Sequence, residues 1–449
     1  MDPYLRLLAG DALPGRVSRG LARRLGLPTP VELRRYSPGD PLVPGPVQVG
    51  GTDGRLLTHA VAASTALGAD LPELEPSTDA RPHAVLFDAS GITDSAGLAA
   101  AYAFLHPRIR RIDTCGRLLV LGSDPDHCTN PGEATAQSAL TGLVRSAAKE
   151  VGRGGTANLL RVAPGAEQAL GGPIGFLLSA KSAYVSGQVL DVRTPFLDPP
   201  ENANPTKPLV ERTILVTGAA RGIGEQIART LARDGGTVIC LDHPEQTGSL
   251  RAVADSIGGI LFPLDITADD SAAVLATYLD QEHGGVHAVV HNAGVLRDRT
   301  LARMTTEEWD TVLAVNLVAQ ERLDAAILER GAMRGGGRLV SIASVSGIAG
   351  NRGQTNYATS KAGVIGRVHA LSECSRTSTV NAVAPGFIET AMTRSMPVLA
   401  REVGRRANSL GQGGLPVDVA EVVAFLVSPG AYAVDGNVIR VCGQSMLGA

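Results

Sequence analysis

From residue 213 to the end of the chain, short apolar runs alternate with amphipathic stretches: TILV, then GIGEQIARTLARDG, then TVICLD, and so on to VIRVCG. Apolar runs of this kind suit buried strands and the stretches between them suit helices, so the alternation predicts β-α-β units and a parallel sheet. The first half carries related text. HAVLFDASG at 83–91 parallels HAVVHNAG at 287–294, GRLLVLGS at 116–123 parallels GRLVSIAS at 337–344, and SALTGLV at 138–144 parallels AGVIGRV at 362–368. RVAPG at 161–165 then parallels AVAPG at 382–386, and FLLSAKSAYVSGQVLDV at 176–192 parallels FLVSPGAYAVDGNVIRV at 425–441. Five matches in one order predict an internal repeat. Between the copies, TPFLDPPENANPTKPLVE breaks the apolar periodicity with Pro, Asn and Asp, which predicts a linker at 194–211 between domains at 1–193 and 212–449. A second Pro- and Gly-rich stretch lies at 28–54.

Composition then narrows the class. A chain of 449 residues exceeds one ordinary domain of about 150. With 19% charged residues and a net charge of -3, it is neither a disordered polyelectrolyte nor a nucleic-acid binder working by bulk charge. Glycine occurs 53 times, against the roughly 31 expected at about 7% usage, and with aromatics at 3% the helices and strands can pack closely. Cys115, Cys128, Cys240, Cys374 and Cys442 are scattered and form no C-x-x-C pair, so no disulfide framework or metal site is expected and a cytoplasmic location is. MDPYLRLLAGDALPG lacks the basic start and apolar stretch of a signal peptide, and no apolar run reaches spanning length.

The strongest local signal opens the second half. Ile214-Leu215-Val216 reads as a strand, followed by Thr217-Gly218-Ala219-Ala220-Arg221-Gly222-Ile223-Gly224 and a helical pattern. Glycines there allow the tight turn, let backbone amides approach a pyrophosphate, and let helix and strand pack closely. This predicts a Rossmann-type doubly wound sheet with a dinucleotide site. Asp242, ending TVICLD, stands near the offset of the acid that binds the adenosine ribose, which favours NAD(H); the alternative is an Asp that only starts the next turn. Arg221 pulls toward a phosphate and keeps NADP(H) open. Asp265 with Ile266, and Asn292-Ala293-Gly294, fall at later strand ends, where open α/β sheets bind ligands: Asp265 for the adenine amino group, Ile266 against the ring.

Candidate chemistry sits in GRLVSIASVSGIAGNRGQTNYATSKAGVIG. A strand ends at Ser344, and a helix carries Tyr357 and Lys361 on one face at i, i+4 spacing. A neighbouring ammonium and an oxidised nicotinamide favour the ionised form of a phenol, whose ordinary pKa of about 10 is otherwise too high for efficient proton exchange. Tyr357 then acts as acid or base, and Ser344 stabilises the charge developing on the substrate oxygen. A surface Tyr-Lys pair and a solvent-facing serine are the alternatives.

Together these motifs resemble the short-chain dehydrogenase/reductase family over about 213–449: T-G-x-x-x-G-x-G at 217–224, N-A-G at 292–294, Asn316, Ser344, Tyr357, Lys361 and Pro385-Gly386. The resemblance implies that Asn316 distorts a helix and serves a proton relay. It also implies that Pro385, Gly386, Ile388 and Thr390 line the nicotinamide end, where a substrate loop begins. VNAVAPGFIETAMTR and AEVVAFLVSPGAYAVDGNVIRVCG most resemble the 3-oxoacyl thioester reductases, among them the two-domain, high-molecular-weight kind of actinobacteria. This implies reduction of a 3-oxoacyl-CoA or acyl-carrier-protein thioester to the (3R)-hydroxyacyl product in fatty-acid metabolism. Basic candidates for meeting an acidic carrier protein are few, Arg367 and Arg376. Arg394, Arg401, Arg405 and Arg406 could meet CoA phosphates.

Through the repeat, Ser123 matches Ser344, but Glu133 falls opposite Tyr357, Gln137 opposite Lys361 and Asp88 opposite Asn292. The first domain is therefore expected to be a degenerate, catalytically silent Rossmann- or flavodoxin-like copy supplying packing surface, so that a homodimer imitates the family's tetramer. Two other functions stay open: turnover of a different ketone or secondary alcohol, and a nucleotide-binding scaffold without turnover.

Overall fold

The computed structural model describes residues 30–72, 81–200, 204, 206–394 and 398–445. The amino-terminal segment read above for a leader, residues 28–29 of the Pro/Gly-rich stretch, and 201–203 and 205 of the expected linker lie outside the described residues. The chain forms two compact units. One takes the described residues of Met1–Leu190 together with Phe387–Leu415 and Val441–Met446; the other takes Asp191–Gly386 and Pro416–Arg440.

The first unit is built on β1 (Val47–Gly51), β2 (Ala84–Asp88), β3 (Arg117–Ser123), β4 (Thr156–Val162) and β5 (Val189–Val192), in the order β1-β2-β3-β4-β5. The pairs β1–β2, β2–β3 and β3–β4 are parallel. Every residue of β2 and β3 is buried, as expected of strands covered on both faces. Helices Leu98–Leu105 and Pro131–Glu150 close one core around Val85, Phe87, Val120 and Leu140. The longer helix starts where Asn130 accepts the Glu133 amide at 3.0 Å and Pro131 occupies the first turn, a site that needs no N–H.

In the second unit β6 (Thr213–Thr217), β7 (Thr237–Asp242), β8 (Ile260–Pro263), β9 (Val286–His291), β10 (Met333–Ile342), β11 (Ser378–Pro385) and β12 (Val438–Val441) take the order β12-β11-β10-β9-β6-β7-β8. Strand order therefore reverses between β6 and β9. Helices leave the two strands in opposite directions there, and the crevice so formed is where doubly wound sheets hold ligands.

The repeat is visible bond by bond. Asn158 Nδ2 donates to Val185 O at 3.0 Å and its Oδ1 accepts the Gln188 amide at 3.0 Å; Asn381 does the same with Val434 O at 2.8 Å and the Asn437 amide at 3.0 Å. Ser186 and Asp435 accept the amides of Ala157 and Val380, and Gly187 and Gly436 both turn with positive φ, at 70° and 73°. Between Asn158 and Pro164 lie two more residues than between Asn381 and Pro385. An insertion of two keeps each side chain on its own face of the strand. Among the described residues the first copy shows no counterpart of β7 and β8, and its strand order β1-β2-β3-β4-β5 runs without reversal. The turn after β1 is also closed: a Cβ on Gly54 would meet Ser90 Oγ at 2.3 Å and the Gly91 nitrogen at 2.4 Å.

Among the described residues no helix is long and apolar enough to cross a membrane, and no group of three or more His, Cys, Asp or Glu is placed to hold a metal ion.

Candidate active site

At the carboxyl end of β6, Gly218 and Gly222 adopt φ of 68° and 64°, which only glycine takes without strain. The helix Gly222–Arg233 begins with Arg221 exposed at its N-cap. A Cβ on Gly224 would stand 2.0 Å from Gly218 O and 2.4 Å from Asn292 Nδ2, so this glycine lets the helix seat against the turn. Around the Cβ position of Gly222 there is no heavy atom within 4 Å. A tight turn with an open outer side and a free helix amino terminus fits a pyrophosphate. Gly224→Ala is expected to cost about 1–3 kcal/mol through overpacking against backbone, read as a lower denaturant midpoint; an unchanged midpoint would contradict this packing.

Asp242 ends β7 with Oδ2 accepting the Ala220 amide at 2.9 Å and Oδ1 the His243 amide at 2.8 Å. The carboxylate is thereby fixed beside the glycine turn. Asp265 Oδ1 accepts from the Thr267 amide and hydroxyl, at 2.9 and 2.7 Å, and the Thr267 hydroxyl is the main cause holding this carboxyl below its usual range. Ile266 is 8% exposed and packs at the edge of the core beside it. Asn292 Nδ2 donates to Thr217 O and Gly218 O, both at 3.0 Å, stitching β9 to the turn, and Thr217 Oγ1 accepts the Asn292 and Ala293 amides.

Ser344 caps the short helix Val345–Ala349: its Oγ accepts the Ser346 amide at 3.1 Å, which leaves its proton free to be donated. Helix Thr355–Cys374 carries Tyr357 and Lys361. Lys361 Nζ donates to Ile342 O at 2.7 Å and lies 5.8 Å from the centre of the Tyr357 ring. Asn316 is fully buried in a single π-helical turn, Ala314–Val318, the local distortion that the resemblance implied. Its Oδ1 accepts the Val295 amide at 2.8 Å, and its Nδ2 donates to Val295 O and Ser360 Oγ, both at 3.1 Å. Gly294 ties the group together, since a Cβ there would lie 3.3 Å from Asn316 Oδ1 and 3.5 Å from Lys361 Nζ.

Burial dominates the electrostatics of the chain's own groups at this site. Burial pushes the Tyr357 phenol up, with Asp298 adding to the rise and the Ser344 hydroxyl opposing it. Burial likewise brings Lys361 down to about 8. Burial thus favours a protonated phenol beside an ammonium that titrates at about 8.

Several contributors escaped the sequence reading. Buried Asn356 donates to Arg297 O and Glu308 O, both at 3.0 Å, and accepts the Tyr357 amide, fixing the start of the helix. Ser360 donates to Tyr357 O at 2.8 Å. Asn356 precedes the Y-x-x-x-K spacing and Ser360 lies within it, and the spacing itself assigns neither a role. Arg367 is not a surface cation: it pairs with buried Asp324, which also accepts from His291 Nε2 at 2.8 Å. Arg405 pairs with Glu389 and Glu402, and Arg406 donates to Gly411 O at 2.7 Å, so these two are engaged within their own segment. Arg376 and Arg394 are exposed. Pro385 ends β11 with Gly386 next; Ile388 and Thr390 belong to the 387–415 segment of the first unit, where Thr390 N donates to Thr393 Oγ1 at 2.8 Å.

A glycine turn at a strand-order reversal, with serine, tyrosine and lysine at the next strand end, is the arrangement of a nicotinamide-dependent oxidoreductase. The family model described as enoyl-(acyl carrier protein) reductase matches residues 218–443. The chain belongs to the short-chain dehydrogenase/reductase family, whose members bind NAD(P)(H), and it is an oxidoreductase of the 3-oxoacyl-(acyl-carrier-protein) reductase type. It is 40% identical over 237 residues to the 3-oxoacyl-[acyl-carrier-protein] reductase FabG of Thermotoga maritima and 42% identical over 238 residues to that of Pseudomonas aeruginosa, each match covering 52% of this chain and 96% of the relative. Nodulation protein G of Rhizobium sp. (strain N33) is 41% identical over 239 residues, covering 52% of this chain and 97% of the relative.

Proposed function

We propose that this chain reduces 3-oxoacyl thioesters, carried on CoA or on acyl-carrier protein, to (3R)-3-hydroxyacyl thioesters, with NADH preferred over NADPH. The observation that carries the reading is the convergence of Ser344, Tyr357, Lys361 and Asn316 beside the glycine turn, in a chain about 40% identical to reductases named for that substrate. Gly218, Arg221, Gly222, Ile223 and Gly224 would hold the pyrophosphate, Asp242 the ribose, Asp265 and Ile266 the adenine side, and Asn292, Ala293 and Gly294 the inner ribose. Pro385, Gly386, Ile388 and Thr390 would receive the nicotinamide.

The dinucleotide, when bound, supplies the hydride. Tyr357 Oη gives the proton to the substrate oxygen, a role that suits a phenol kept neutral by burial. Ser344 Oγ donates a hydrogen bond to the same oxygen as its charge grows, having already committed a lone pair to Ser346. Lys361 holds positive charge near the phenol and favours its anion once the proton has left. Asn316 positions Val295 and Ser360, and with them the wall on which the lysine rests. The first copy has no such set: Gln137 Oε1 accepts the Ser123 amide while its Nε2 donates to Ala89 O and Ile92 O, and Glu133 is spent on Thr129.

Consumption of NADH with acetoacetyl-CoA and a longer 3-oxoacyl-CoA tests the substrate. Turnover of neither thioester would sink it. The cofactor preference rests on Asp242, whose carboxylate, fixed by the Ala220 and His243 amides, would repel a 2′-phosphate by like charge. NADH is expected to show at least about tenfold the kcat/KM of NADPH, equivalent to about 1.4 kcal/mol, and Asp242→Ala to erase most of that ratio. Equal efficiency in the unaltered protein would reverse the assignment.

A further inference from the structure

The π-helical turn Ala314–Val318 runs on into the helix Ala319–Glu329, and together they carry Asn316, Gln320 and Asp324 at i, i+4 and i+8. At that spacing the three polar side chains share one helical face. Exposures of 0%, 2% and 2% place that face in the interior. Buried polar groups are costly unless paired, so each needs a fixed partner. Asn316 holds Val295 and Ser360, and Asp324 accepts from His291 and Arg367. Gln320 is the member that no step of the proposed reaction uses.

Both ends of its amide are occupied, by groups on different elements. Nε2 donates to Asn316 O at 2.8 Å, and Oε1 accepts from Ser341 Oγ at 3.0 Å. Asn316 O can only accept, which fixes the amide's orientation, with Nε2 toward the turn and Oε1 toward the serine. The first bond grips the middle of the π-helical turn, in which the Ala319 amide donates five residues back to Ala314 O. Such turns are rare and appear mostly at functional sites, and this one is clamped by a side chain from the turn after it. The second bond reaches β10 at the residue before Ile342, whose carbonyl accepts from Lys361 Nζ at 2.7 Å. Gln320 therefore joins the two walls of the lysine's surroundings: the turn whose Asn316 Oδ1 shares the Gly294 Cβ position with Nζ, and the strand that Nζ bonds.

We infer that Gln320 is a positioning residue that ties the π-helical turn carrying Asn316 to β10 and so keeps the surroundings of Lys361 Nζ closed to water. This rests on the roles proposed for Asn316 and Lys361 but not on which thioester is reduced, and every residue in it belongs to one compact unit. Burial is the cause that brings Lys361 down to about 8. The titratable group beside Nζ is the Tyr357 phenol, the charge acting on that phenol is Asp298, and Arg367 on the lysine's own helix is paired with Asp324. A neutral substitution at Gln320 adds and removes no charge among them. With the tie cut, the turn loosens, water reaches Nζ and the pKa rises toward its ordinary value. The ammonium then persists to higher pH, and the alkaline decline of reduction moves up with it.

Gln320→Met keeps the length of the side chain and removes both hydrogen bonds. In the full-length protein, kcat for a 3-oxoacyl-CoA should fall at least about fivefold with each KM within about twofold, the pattern of a lost transition-state contribution. Its alkaline decline should move up by at least about half a pH unit. Hydrogen exchange at the Val295 amide, which donates to Asn316 Oδ1, should speed up at least about fivefold with or without turnover. Ser341→Ala cuts the other end of the tie by one atom; it should do the same to a lesser degree and add nothing to Gln320→Met. Faster exchange in a protein that reduces no thioester would leave the tie standing and remove the substrate reading. Unchanged Val295 exchange would overturn the role given to Gln320, as would faster exchange with kcat kept or a lower kcat with the alkaline decline unmoved. Should Gln320→Met fail to fold, Ser341→Ala decides alone.

Discussion

Tyr357→Phe is expected to lower kcat/KM for acetoacetyl-CoA by about 10²–10⁴-fold, the contribution typical of a positioned general acid, or roughly 3–5 kcal/mol of transition-state stabilisation. The substitution removes one oxygen and leaves the ring in place. Asn356 still fixes the helix start through its bonds to Arg297, Glu308 and the residue-357 amide, so the denaturant midpoint should stay put. Ser344 cannot take over, because an aliphatic hydroxyl is a far weaker acid than a phenol. The wild-type pH profile gives a second handle on the same site. Burial lowers Lys361 to about 8, so its ammonium is present below that pH and disappears above it. Reduction should therefore decline as pH rises through about 8, with the residual rate of Tyr357→Phe far less sensitive over that interval. Near-wild-type turnover in the mutant would remove Tyr357 from the proton path.

What the sequence revealed and what it hid follow from how far apart the interacting residues lie. The turn Thr217–Gly224 and the Tyr357–Lys361 pair are local, and their spacing alone places them at a strand end and on one helix face. The anchors that make them usable are remote. Lys361 reaches Ile342 O, and Asn292 reaches back 75 residues to Thr217 O. No periodicity encodes such contacts. Arg367 shows the limit from the other side: its charge and helical position suit a surface cation, and only the fold brings Asp324 beneath it. The repeat was legible as parallel text, but its consequence was not. That the described part of the first sheet runs without reversal depends on which strands pair with which, and pairing order is set by contacts distant in sequence that no local pattern records.

Asp324 carries the second large expectation. It is 2% exposed and lies between His291 on β9 and Arg367 on the helix Thr355–Cys374, accepting from both. Burial alone would raise its pKa, but the charges and hydrogen bonds of His291 and Arg367 outweigh that and hold it below the usual carboxylate range. Asp324→Ala strands the Arg367 guanidinium, 10% exposed, without its counter-charge. Breaking a buried pair in this way typically costs about 3–5 kcal/mol, which would be read as a large drop in the denaturant midpoint at pH 7. The pH dependence has a definite sign. With the folded pKa below the unfolded one, the carboxylate's contribution is fully present above the unfolded pKa of about 4. It is lost as pH falls through the folded value. Asp324→Asn keeps the shape and abolishes the titration, so the difference in stability between wild type and this variant should be constant above about pH 5 and shrink in acid. A difference independent of pH down to acid unfolding would mean that this charge does not help hold β9 to its flanking helices, and with them the strand end that presents Asn292.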